Sequence, residues 1–283
     1  MTITIIGNDD YNFLYHEFNT SVVVSGLGGT DTIITRGGND TVDGGSGWDT
    51  ISTGNGDDYL DGGSGADCMV GGTGNDTYIV GDVYDSVWEF SGGGYDTVIS
   101  SVDYVNDIEF LEKIVLAQGS AAISIRAQRN SEWLEGNSQN NYIKANFGDD
   151  TLIGGSGRDT LLGEWGNDVL TGGSCADTFG FGTGTTFGVI PIGIDTITDF
   201  NPSQDKISLS RAAFTKLTSS ISFATVTSDA LAATNAAFIT YNRSNGRLFY
   251  NENGSLGGLC NGAQFATLSN LASLTGADFV LSE

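Results

Sequence analysis

The chain has 283 residues, 42 of them glycine, and its 35 Asp and Glu against 11 Lys and Arg give a formal net charge of −24. Nucleic acid and anionic membrane surfaces both attract basic side chains, so this charge argues against either as a partner. Cys68, Cys175 and Cys260 are odd in number and far apart in sequence, so they predict no disulfide framework.

The N-terminal segment, MTITIIGNDDYNFLYHE, lacks the basic region and the long apolar stretch of a cleaved secretory signal. No run of 18 apolar residues in the sequence predicts a transmembrane helix. The strands around Leu14 and Val23 read as degenerate copies of the pattern that begins at Asp31, with Asn12 and Ser21 in the aspartate position. We expect these strands to cap the fold rather than to bind metal.

A nine-residue repeat follows, and its best copies read GGSGWDTIS, GGSGADCMV and GGTGNDTYI. In each copy a glycine-rich hexapeptide ends in aspartate, and an apolar residue stands two positions later. The aspartates are Asp31, Asp40, Asp49, Asp58, Asp67 and Asp76, and the apolar residues are Ile33, Val42, Ile51, Leu60, Met69 and Tyr78. Because side chains alternate faces along a strand, each repeat predicts a turn and a short strand that buries one apolar residue.

Two repeats, or 18 residues, predict one coil of a parallel β-solenoid with two opposed strands. The stacked aspartates are then Asp31, Asp49 and Asp67 on one edge and Asp40, Asp58 and Asp76 on the other. One buried aliphatic side chain contributes roughly 1.5–3 kcal/mol, which cannot offset about 1–2 kcal/mol of backbone entropy for every residue of a repeat. We therefore predict that calcium, which takes 6–8 oxygen ligands, lies between stacked turns and supplies the missing stability.

The turn glycines are expected to let the backbone curl so that its carbonyl oxygens face the ion. The glycines of the best copies are Gly44, Gly47, Gly62, Gly65, Gly71, Gly74, Gly154 and Gly157. The alternative is a metal-free solenoid with solvated aspartates. Stacked carboxylates would lie roughly 5 Å apart across parallel strands and would repel one another without a counterion, which favours calcium.

Residues 81–123 interrupt the repeats, but alternating apolar and polar residues still predict strands there. Leu134 and Ile125 stand nine and eighteen residues before Ile143, so the coil period resumes before the aspartates do. We expect one continuous solenoid with an irregular middle. A separate small domain at 81–123 is the alternative.

A second array then restarts the nine-residue pattern, and its best copy is GGSGRDTLL. Its aspartate positions are Asn141, Asp150, Asp159, Asp168 and Asp177, and its apolar positions are Ile143, Leu152, Leu161, Leu170 and Phe179. We expect Asn141, Asp159 and Asp177 to share one edge, and Asp150 and Asp168 to share the other.

These repeats resemble the RTX family, the calcium-binding repeats of haemolysin-type bacterial exoproteins. The resemblance implies a right-handed parallel β-roll, several structural calcium ions, and export by a type I secretion system. It also implies that the segments DTITDF and DKISLS, which follow the second array, pair as capping strands. Three turns depart from the consensus: TRGGND at 35–40, ANFGDD at 145–150, and the turn at 172–177, where Cys175 replaces glycine. We expect weaker or distorted sites there.

The last segment changes character. Alanine-rich residues 211–237 predict short helices or a loop, and AFITYNRSNGRLFYNENGS predicts a β-hairpin joined by Ser-Asn-Gly. The end, LTGADFVLSE, resembles an uncleaved type I secretion signal, with an ordinary final strand as the alternative. The predicted organisation is an N-terminal cap and first array at 1–80, an irregular continuation at 81–123, a second array with closing strands at 124–210, and a β-rich cap with the secretion signal at 211–283.

No motif for catalysis is present. His16 is the only histidine, so the H-E-x-x-H zinc pair is missing, and so are the G-x-S-x-G nucleophile elbow and the phosphate-binding glycine loops. We expect His16 on the surface of the first coil. The prediction is a secreted, bacterial, non-catalytic calcium-binding protein with a surface, matrix or adhesive role.

Two rival functions stay open. The chain is alternatively the calcium-binding carrier of an extracellular enzyme that acts on polysaccharide, because Trp48 and Trp165 are expected to face solvent from their turns and could stack on sugar rings. It is otherwise an enzyme with an unrecognised site on the solenoid face. The only concentration of positive charge for such a site comprises Arg126, Arg129, Lys144 and Arg158.

Overall fold

The computed structural model describes residues 3–182, 193–217, 221–252 and 264–282. The chain divides into two compact units, Met1–Trp133 and Leu134–Glu283. Both are built almost wholly of β-strands, most of them paired in parallel, so the predicted all-β parallel solenoid is confirmed. One strand, β15 at Trp133–Glu135, contains the division between the units.

The first unit holds short strands separated by tight turns. They are β1 (Ile3–Asn8), β2 (Phe13–Tyr15), β3 (Val22–Leu27), β4 (Thr32–Ile34), β5 (Thr41–Asp43), β6 (Thr50–Asn55), β7 (Tyr59–Asp61), β8 (Cys68–Thr73), β9 (Thr77–Val80), β10 (Ser86–Trp88), β11 (Thr97–Ser100), β12 (Tyr104–Val105), β13 (Lys113–Leu116) and β14 (Ser124–Arg126).

Alternate strands of the first unit enter opposite sheets. Odd-numbered strands β1 to β13 form one parallel sheet in chain order, and even-numbered strands β2 to β10 form the other. Ile33 lies beside Ile51, which in turn lies beside Met69. Each coil therefore takes two repeats, as the 18-residue spacing predicts.

A single column of side chains fills the space between these sheets. All the predicted inward residues of the two arrays are fully buried, and they are Ile33, Val42, Ile51, Leu60, Met69 and Tyr78, then Ile143, Leu152, Leu161, Leu170 and Phe179. Apart from Gly180, which is buried, the strand residues on either side of each one are more exposed, because the pleat turns them outward. The predicted one-residue-wide core is confirmed.

One of the N-terminal strands, β3, lies one residue out of the predicted register. Leu14 pairs with Ile33, which puts Asn12 beside Asp31 as expected. In β3, however, Val24 and not Val23 pairs with Val42, and Val23 is 37% exposed. The aspartate position is thus held by Val22 rather than Ser21. Three successive valines carry no alternation, so the sequence could not fix which of them faces inward.

The segment after the first array continues to form parallel strands in the first unit. Strand β10 pairs with β8, β11 pairs with β9, and β13 pairs with β11. Strand β12 pairs with β14 instead of with β10. The strands predicted from alternation in this segment are therefore confirmed, while its assignment as one segment of a continuous solenoid stays a prediction.

The second unit has longer strands in its repeats and one short helix. Its elements are β16 (Tyr142–Phe147), β17 (Thr151–Ser156), β18 (Thr160–Trp165), β19 (Val169–Ser174), β20 (Thr178–Phe181), β21 (Asp195–Ile197), β22 (Lys206–Ser210), β23 (Phe223–Val226), α1 (Asp229–Thr234), β24 (Ile239–Asn242), β25 (Arg247–Tyr250), β26 (Gln264–Leu268), a 3₁₀ helix (Gly276–Asp278) and β27 (Phe279–Ser282).

The two closing strands of the second array do not pair with each other, so that expectation is wrong. Strand β21, from DTITDF, lies between β19 and β26, whereas β22, from DKISLS, lies between β20 and β27. In a solenoid coil, successive strands enter opposite sheets. Each closing strand therefore pairs with the preceding strand of its own sheet. Both pairings with the preceding repeat are parallel.

The C-terminal segment matches its prediction in outline. Strands β24 and β25 form the expected antiparallel hairpin, and the alanine-rich stretch contains helix α1. The last described strand is β27, which pairs in parallel with β22. Cys260 lies outside the described residues. No helix in the described ranges is long and apolar enough to cross a bilayer.

Candidate metal centre

The aspartates of the first array form two ladders of hydrogen bonds. On one edge the Asp31 N–H donates to Asp49 Oδ1 at 2.7 Å, and the Asp49 N–H donates to Asp67 Oδ1 at 2.8 Å. The other edge repeats this arrangement, from Asp40 to Asp58 at 2.7 Å and from Asp58 to Asp76 at 2.8 Å. The structure therefore brings together the edge neighbours that the 18-residue spacing predicts.

The second array has the same ladders. The Asn141 N–H donates to Asp159 Oδ1 at 2.7 Å, and the Asp159 N–H donates to Asp177 Oδ1 at 2.9 Å. On the opposite edge the Asp150 N–H donates to Asp168 Oδ1 at 2.8 Å. Asn141 replaces an aspartate here and still continues the ladder through its backbone.

The second carboxylate oxygen of the ladder aspartates is buried and has no hydrogen-bond partner. This holds for Oδ2 of Asp31, Asp40, Asp49, Asp58, Asp67, Asp76, Asp159 and Asp168. All these side chains are at most 2% exposed, so the solvated aspartates of the metal-free alternative are absent from these turns. Leaving a buried charged oxygen unsatisfied costs more than about 1–3 kcal/mol, so each one indicates a missing cationic partner.

On one edge of the first array, a glycine lies beside the unpaired Oδ2 of each ladder aspartate. A Cβ built at Gly44 would lie 2.7 Å from Asp49 Oδ2 and 2.6 Å from the carbonyl oxygen of Gly62. A Cβ at Gly62 would likewise lie 2.6 Å from Asp67 Oδ2. Carboxylate and carbonyl oxygens thus converge where a side chain would otherwise stand. We call the edge of turns 26–31, 44–49 and 62–67 the glycine edge.

The other predicted turn glycines fall into two groups. Gly71 and Gly154 correspond to Gly44, since a Cβ at either would meet Oδ2 of Asp76 or Asp159. Gly47 has φ 142, and a Cβ there would collide with the carbonyl oxygen of Gly29 in the preceding coil. The glycines that also have a positive φ and the same collision with a carbonyl of the preceding coil are Gly65, Gly74 and Gly157.

The opposite edge of the first array begins two of its turns with threonine. Thr35 and Thr53 are buried and occupy the position that glycine holds on the glycine edge. The Thr53 hydroxyl donates to the carbonyl oxygen of Gly71 at 3.1 Å. We call the edge of turns 35–40, 53–58 and 71–76 the threonine edge. Its side chains fill space that stays open on the glycine edge, which gives a physical basis for the weaker site predicted at 35–40.

The turn at 172–177, where Cys175 replaces glycine, keeps its backbone conformation. Cys175 adopts φ 89, in the left-handed region that glycine normally supplies. The ladder bond between Asp159 and Asp177 is intact at 2.9 Å. The substitution therefore strains the residue itself and leaves the carboxylate in its place.

Burial and mutual repulsion raise the pKa of the ladder carboxyls. Burial first, and then the neighbouring carboxylates of Asp85 and Asp49, raise the pKa of Asp67 to about 7. Burial, with Asp58 and Asp96 nearby, raises the pKa of Asp76 to about 7. A cation among these oxygens would favour the ionised form at neutral pH. Hard carboxylate and carbonyl oxygens are the ligands that calcium prefers, so the residues present fit this ion.

The ladders extend beyond the aspartates that the sequence analysis assigned, first to Asp85, which still keeps the period, and then to residues at other spacings. The Asp67 N–H donates to Asp85 Oδ1 at 3.1 Å, and the Asp76 N–H donates to Asp96 Oδ1 at 2.8 Å. In the second array Asp168 and Asp177 continue in the same way to Asp195 at 3.2 Å and to Asp205 at 2.9 Å. Each added aspartate also precedes an apolar residue by two positions, which was the available signal in the sequence.

Three other sequence expectations concerned binding or chemistry. His16 is buried at 6% exposure, contrary to prediction, and its Nε2 lies 3.1 Å from the Thr20 carbonyl oxygen. Trp48 is 70% exposed, as predicted. Trp165 is half-buried instead, because its ring stacks on Phe147 at 4.2 Å.

Two of the four basic residues considered for a catalytic face are engaged with acidic neighbours. Arg129 pairs with Glu109 at 3.0 Å, and Lys144 pairs with Glu164 at 3.1 Å. These pairs reduce the positive charge that the face could offer to an acidic polysaccharide.

Comparison with known families agrees with this geometry. The RTX calcium-binding nonapeptide repeat matches the chain in four copies, at residues 25–60, 43–78, 129–161 and 154–187. These stretches contain the predicted aspartate positions of both arrays. No curated protein matches the chain as a relative.

Proposed function

We propose that this chain, which carries RTX calcium-binding repeats in a β-solenoid, is a secreted, non-catalytic protein that folds on meeting extracellular calcium. It then serves as a component of a surface, a matrix or an adhesive layer. The observation that carries the proposal is the stack of buried Oδ2 atoms without partners. The column of single apolar side chains supports it, because such a core needs a further source of stability.

Calcium availability links folding to location. Extracellular calcium modules bind at about 10⁻⁴–10⁻³ M, whereas the cytosol holds far less free calcium. Inside the cell the stacked carboxylates would repel one another and keep the chain extended. An extended chain suits a type I export channel, and several calcium ions would then close the roll outside.

Export is tested by deletion in cells that carry a type I transporter. We expect a chain lacking residues 224–283 to stay inside, because the C-terminal segment would carry the export signal. A chain lacking residues 1–20 is the control and should still reach the medium. Appearance of the shortened C-terminal variant in the medium would contradict the export proposal and would leave Phe279–Ser282 as a plain closing strand.

A second candidate function rests on an exposed aromatic side chain. Trp48 projects from a turn of the glycine edge with 70% of its surface exposed. Such rings stack on sugars, so the chain could serve as the calcium-binding carrier of an extracellular enzyme that acts on polysaccharide. Titration of the calcium-loaded protein with acidic and neutral polysaccharides tests this candidate. Quenching of tryptophan fluorescence that disappears in Trp48→Ala would favour it over a non-catalytic structural role.

A further inference from the structure

A cleft opens in the first unit where two successive strands on one side of the coil do not pair. Strand β10 is the last strand of its sheet, and β12 pairs with β14 instead of with β10. On the other side of the coil, β9, β11 and β13 pair without a break. Residues 85–88 form one wall of the cleft, and Tyr104, Val105, Asp107 and Ile108 form the other. Its volume of about 400 Å³ lies within the range of about 300–1,000 Å³ that is typical of small-molecule sites.

The wall from β10 presents an uncovered tryptophan ring. Trp88 is 54% exposed, and among the rings and cations of the described residues none packs against its indole. Trp165, by comparison, is covered by the ring of Phe147. Val105 on the opposite wall is also exposed. The cleft therefore offers a flat aromatic surface on which the apolar face of a sugar ring can stack.

The cleft also contains a buried hydroxyl group without a partner. Tyr104 is only 8% exposed, yet it lines the cleft. Within the described part of the chain, no hydrogen bond uses its hydroxyl. Burial first, and then the charges of Asp107 and Asp85, raise the pKa of this hydroxyl, so it remains a donor at neutral pH. A buried tyrosine hydroxyl normally has a hydrogen-bond partner, and here the cleft is where a ligand could supply one.

The charge of the cleft selects the class of ligand. Asp107 is exposed, and no hydrogen bond or ion pair of the described residues uses its carboxylate, which leaves it free to accept sugar hydroxyls. Asp85 on the opposite wall already accepts backbone N–H groups at both of its oxygens, so it contributes charge alone. Two carboxylates in a chain of net charge −24 repel acidic saccharides, which favours a neutral one.

An extended peptide is the other kind of ligand that unpaired strands can accept, by adding a strand to the sheet. That mode depends on a row of backbone hydrogen bonds. Strand β10 has three residues and β12 has two, so either edge could form few such bonds. The aromatic ring, the unpaired hydroxyl and the free carboxylate together fit a saccharide better.

We propose that this cleft binds a neutral saccharide chain. One sugar ring stacks on Trp88, and sugar hydroxyls bond to the Tyr104 hydroxyl and to the Asp107 carboxylate. The site is separate from Trp48, which lies in another coil. It gives the proposed surface or matrix role a ligand, and the inference rests on that proposed function for the place where the ligand is met.

The first test exposes the full-length chain, in millimolar calcium, to an array of immobilised neutral, acidic and amino-sugar oligosaccharides. We expect neutral members to bind, and the strongest of them then serves as the probe in isothermal titration calorimetry. Trp88→Ala should weaken its binding by more than about ten-fold, because the stacking surface is lost. Trp48→Ala is the matched control, since it removes a similarly exposed ring from another coil and should bind like the parent.

Tyr104→Phe separates a ligand contact from a structural role. It keeps the buried ring and removes only a hydroxyl that has no partner, so the calcium concentration at half-folding should not change in circular dichroism. Affinity for the same saccharide should fall about three- to ten-fold, the size of one hydrogen bond. This variant carries the test if Trp88→Ala fails to fold.

The outcomes separate this inference from the proposed function. A parent that folds on calcium and binds none of the arrayed saccharides, or prefers acidic ones, would overturn only the cleft. So would binding that is lost in Trp48→Ala and kept in Trp88→Ala and Tyr104→Phe, or capture of an alternating Thr-Val hexapeptide in place of saccharide. A chain that is folded in excess chelator would overturn calcium-driven folding, while its saccharide binding would still decide the cleft. Loss of binding in Trp88→Ala and Tyr104→Phe and not in Trp48→Ala would support the proposal.

Discussion

The two edges of the first array share one ladder and differ in the space beside it. On both edges the N–H to Oδ1 distances along the ladder are 2.7–2.8 Å, and Oδ2 has no partner. The glycine edge leaves that oxygen facing an open position, whereas Thr35 and Thr53 fill the corresponding positions on the threonine edge. The period thus fixes where the carboxylates stand, and the first residue of each turn fixes how much room a cation has.

The largest expected effect comes from filling one open position. Gly62→Val would place a branched side chain against Asp67 Oδ2, where a Cβ alone would lie 2.6 Å away. We expect it to raise the calcium concentration at half-folding by more than about ten-fold, because the clash removes one ligand oxygen from its place. Circular dichroism during calcium titration measures this midpoint.

The matched control lies on the threonine edge. Thr53→Val puts the same side chain at a position that already holds a branched residue, and it removes a hydroxyl that bonds to the Gly71 carbonyl oxygen and interacts with the Asp58 carboxylate. A neutral hydroxyl of this kind contributes about 1 kcal/mol, so the midpoint should move by less than in Gly62→Val. Equal shifts in Gly62→Val and Thr53→Val would contradict the difference between the edges.

A smaller difference should separate the aspartates themselves. Asp49→Asn and Asp58→Asn both keep the Oδ1 acceptor of the ladder and remove a negative charge. We expect calcium affinity to fall in both variants and to fall further in Asp49→Asn, because the glycine edge gives the ion more room. Isothermal titration calorimetry distinguishes them, and a larger loss in Asp58→Asn would reverse the ranking of the edges.

In the calcium-free chain, both edges should contribute to the pH dependence of folding stability. The pKa is raised from 3.8 to about 7 for Asp67 on the glycine edge and for Asp76 on the threonine edge. The folded state therefore binds more protons than the unfolded state between about pH 4 and pH 7, and its stability falls as the pH rises through that range. In excess chelator we expect more β-structure at pH 5 than at pH 7.5, measured by circular dichroism. No change between these values would argue against buried, repelling carboxyls.

Much of this architecture could be predicted because one period sets both the strand face and the turn. The inward residues from Ile33 to Tyr78 and the stacking of Asp31 on Asp49 follow directly from steps of 9 and 18 residues. A register error appeared only at Val22–Val24, where the alternation that signals a face is missing.

The remaining ladder contacts could not be predicted, because inserted residues change the spacing between aspartates without breaking the hydrogen bonds that join them. Asp96, Asp195 and Asp205 stand 20, 27 and 28 residues beyond their ladder partners, yet their carboxylates occupy the same relation to the preceding coil. Backbone pairing restores the register after each insertion, so the contact survives where the spacing does not. Glu89 stands 18 residues after Gly71, but the best copies of the repeat have glycine at that position, so its approach to Asp76 could not be read from the pattern.

The most direct test is to measure the secondary structure of the chain with and without calcium. Far-UV circular dichroism of the full chain should show mostly disordered backbone in excess chelator and a β spectrum after millimolar calcium is added. Magnesium at the same concentration should fail to produce that spectrum, because it demands short octahedral bonds and releases its waters reluctantly. A native β spectrum in excess chelator at neutral pH would contradict the claim that calcium holds this solenoid together.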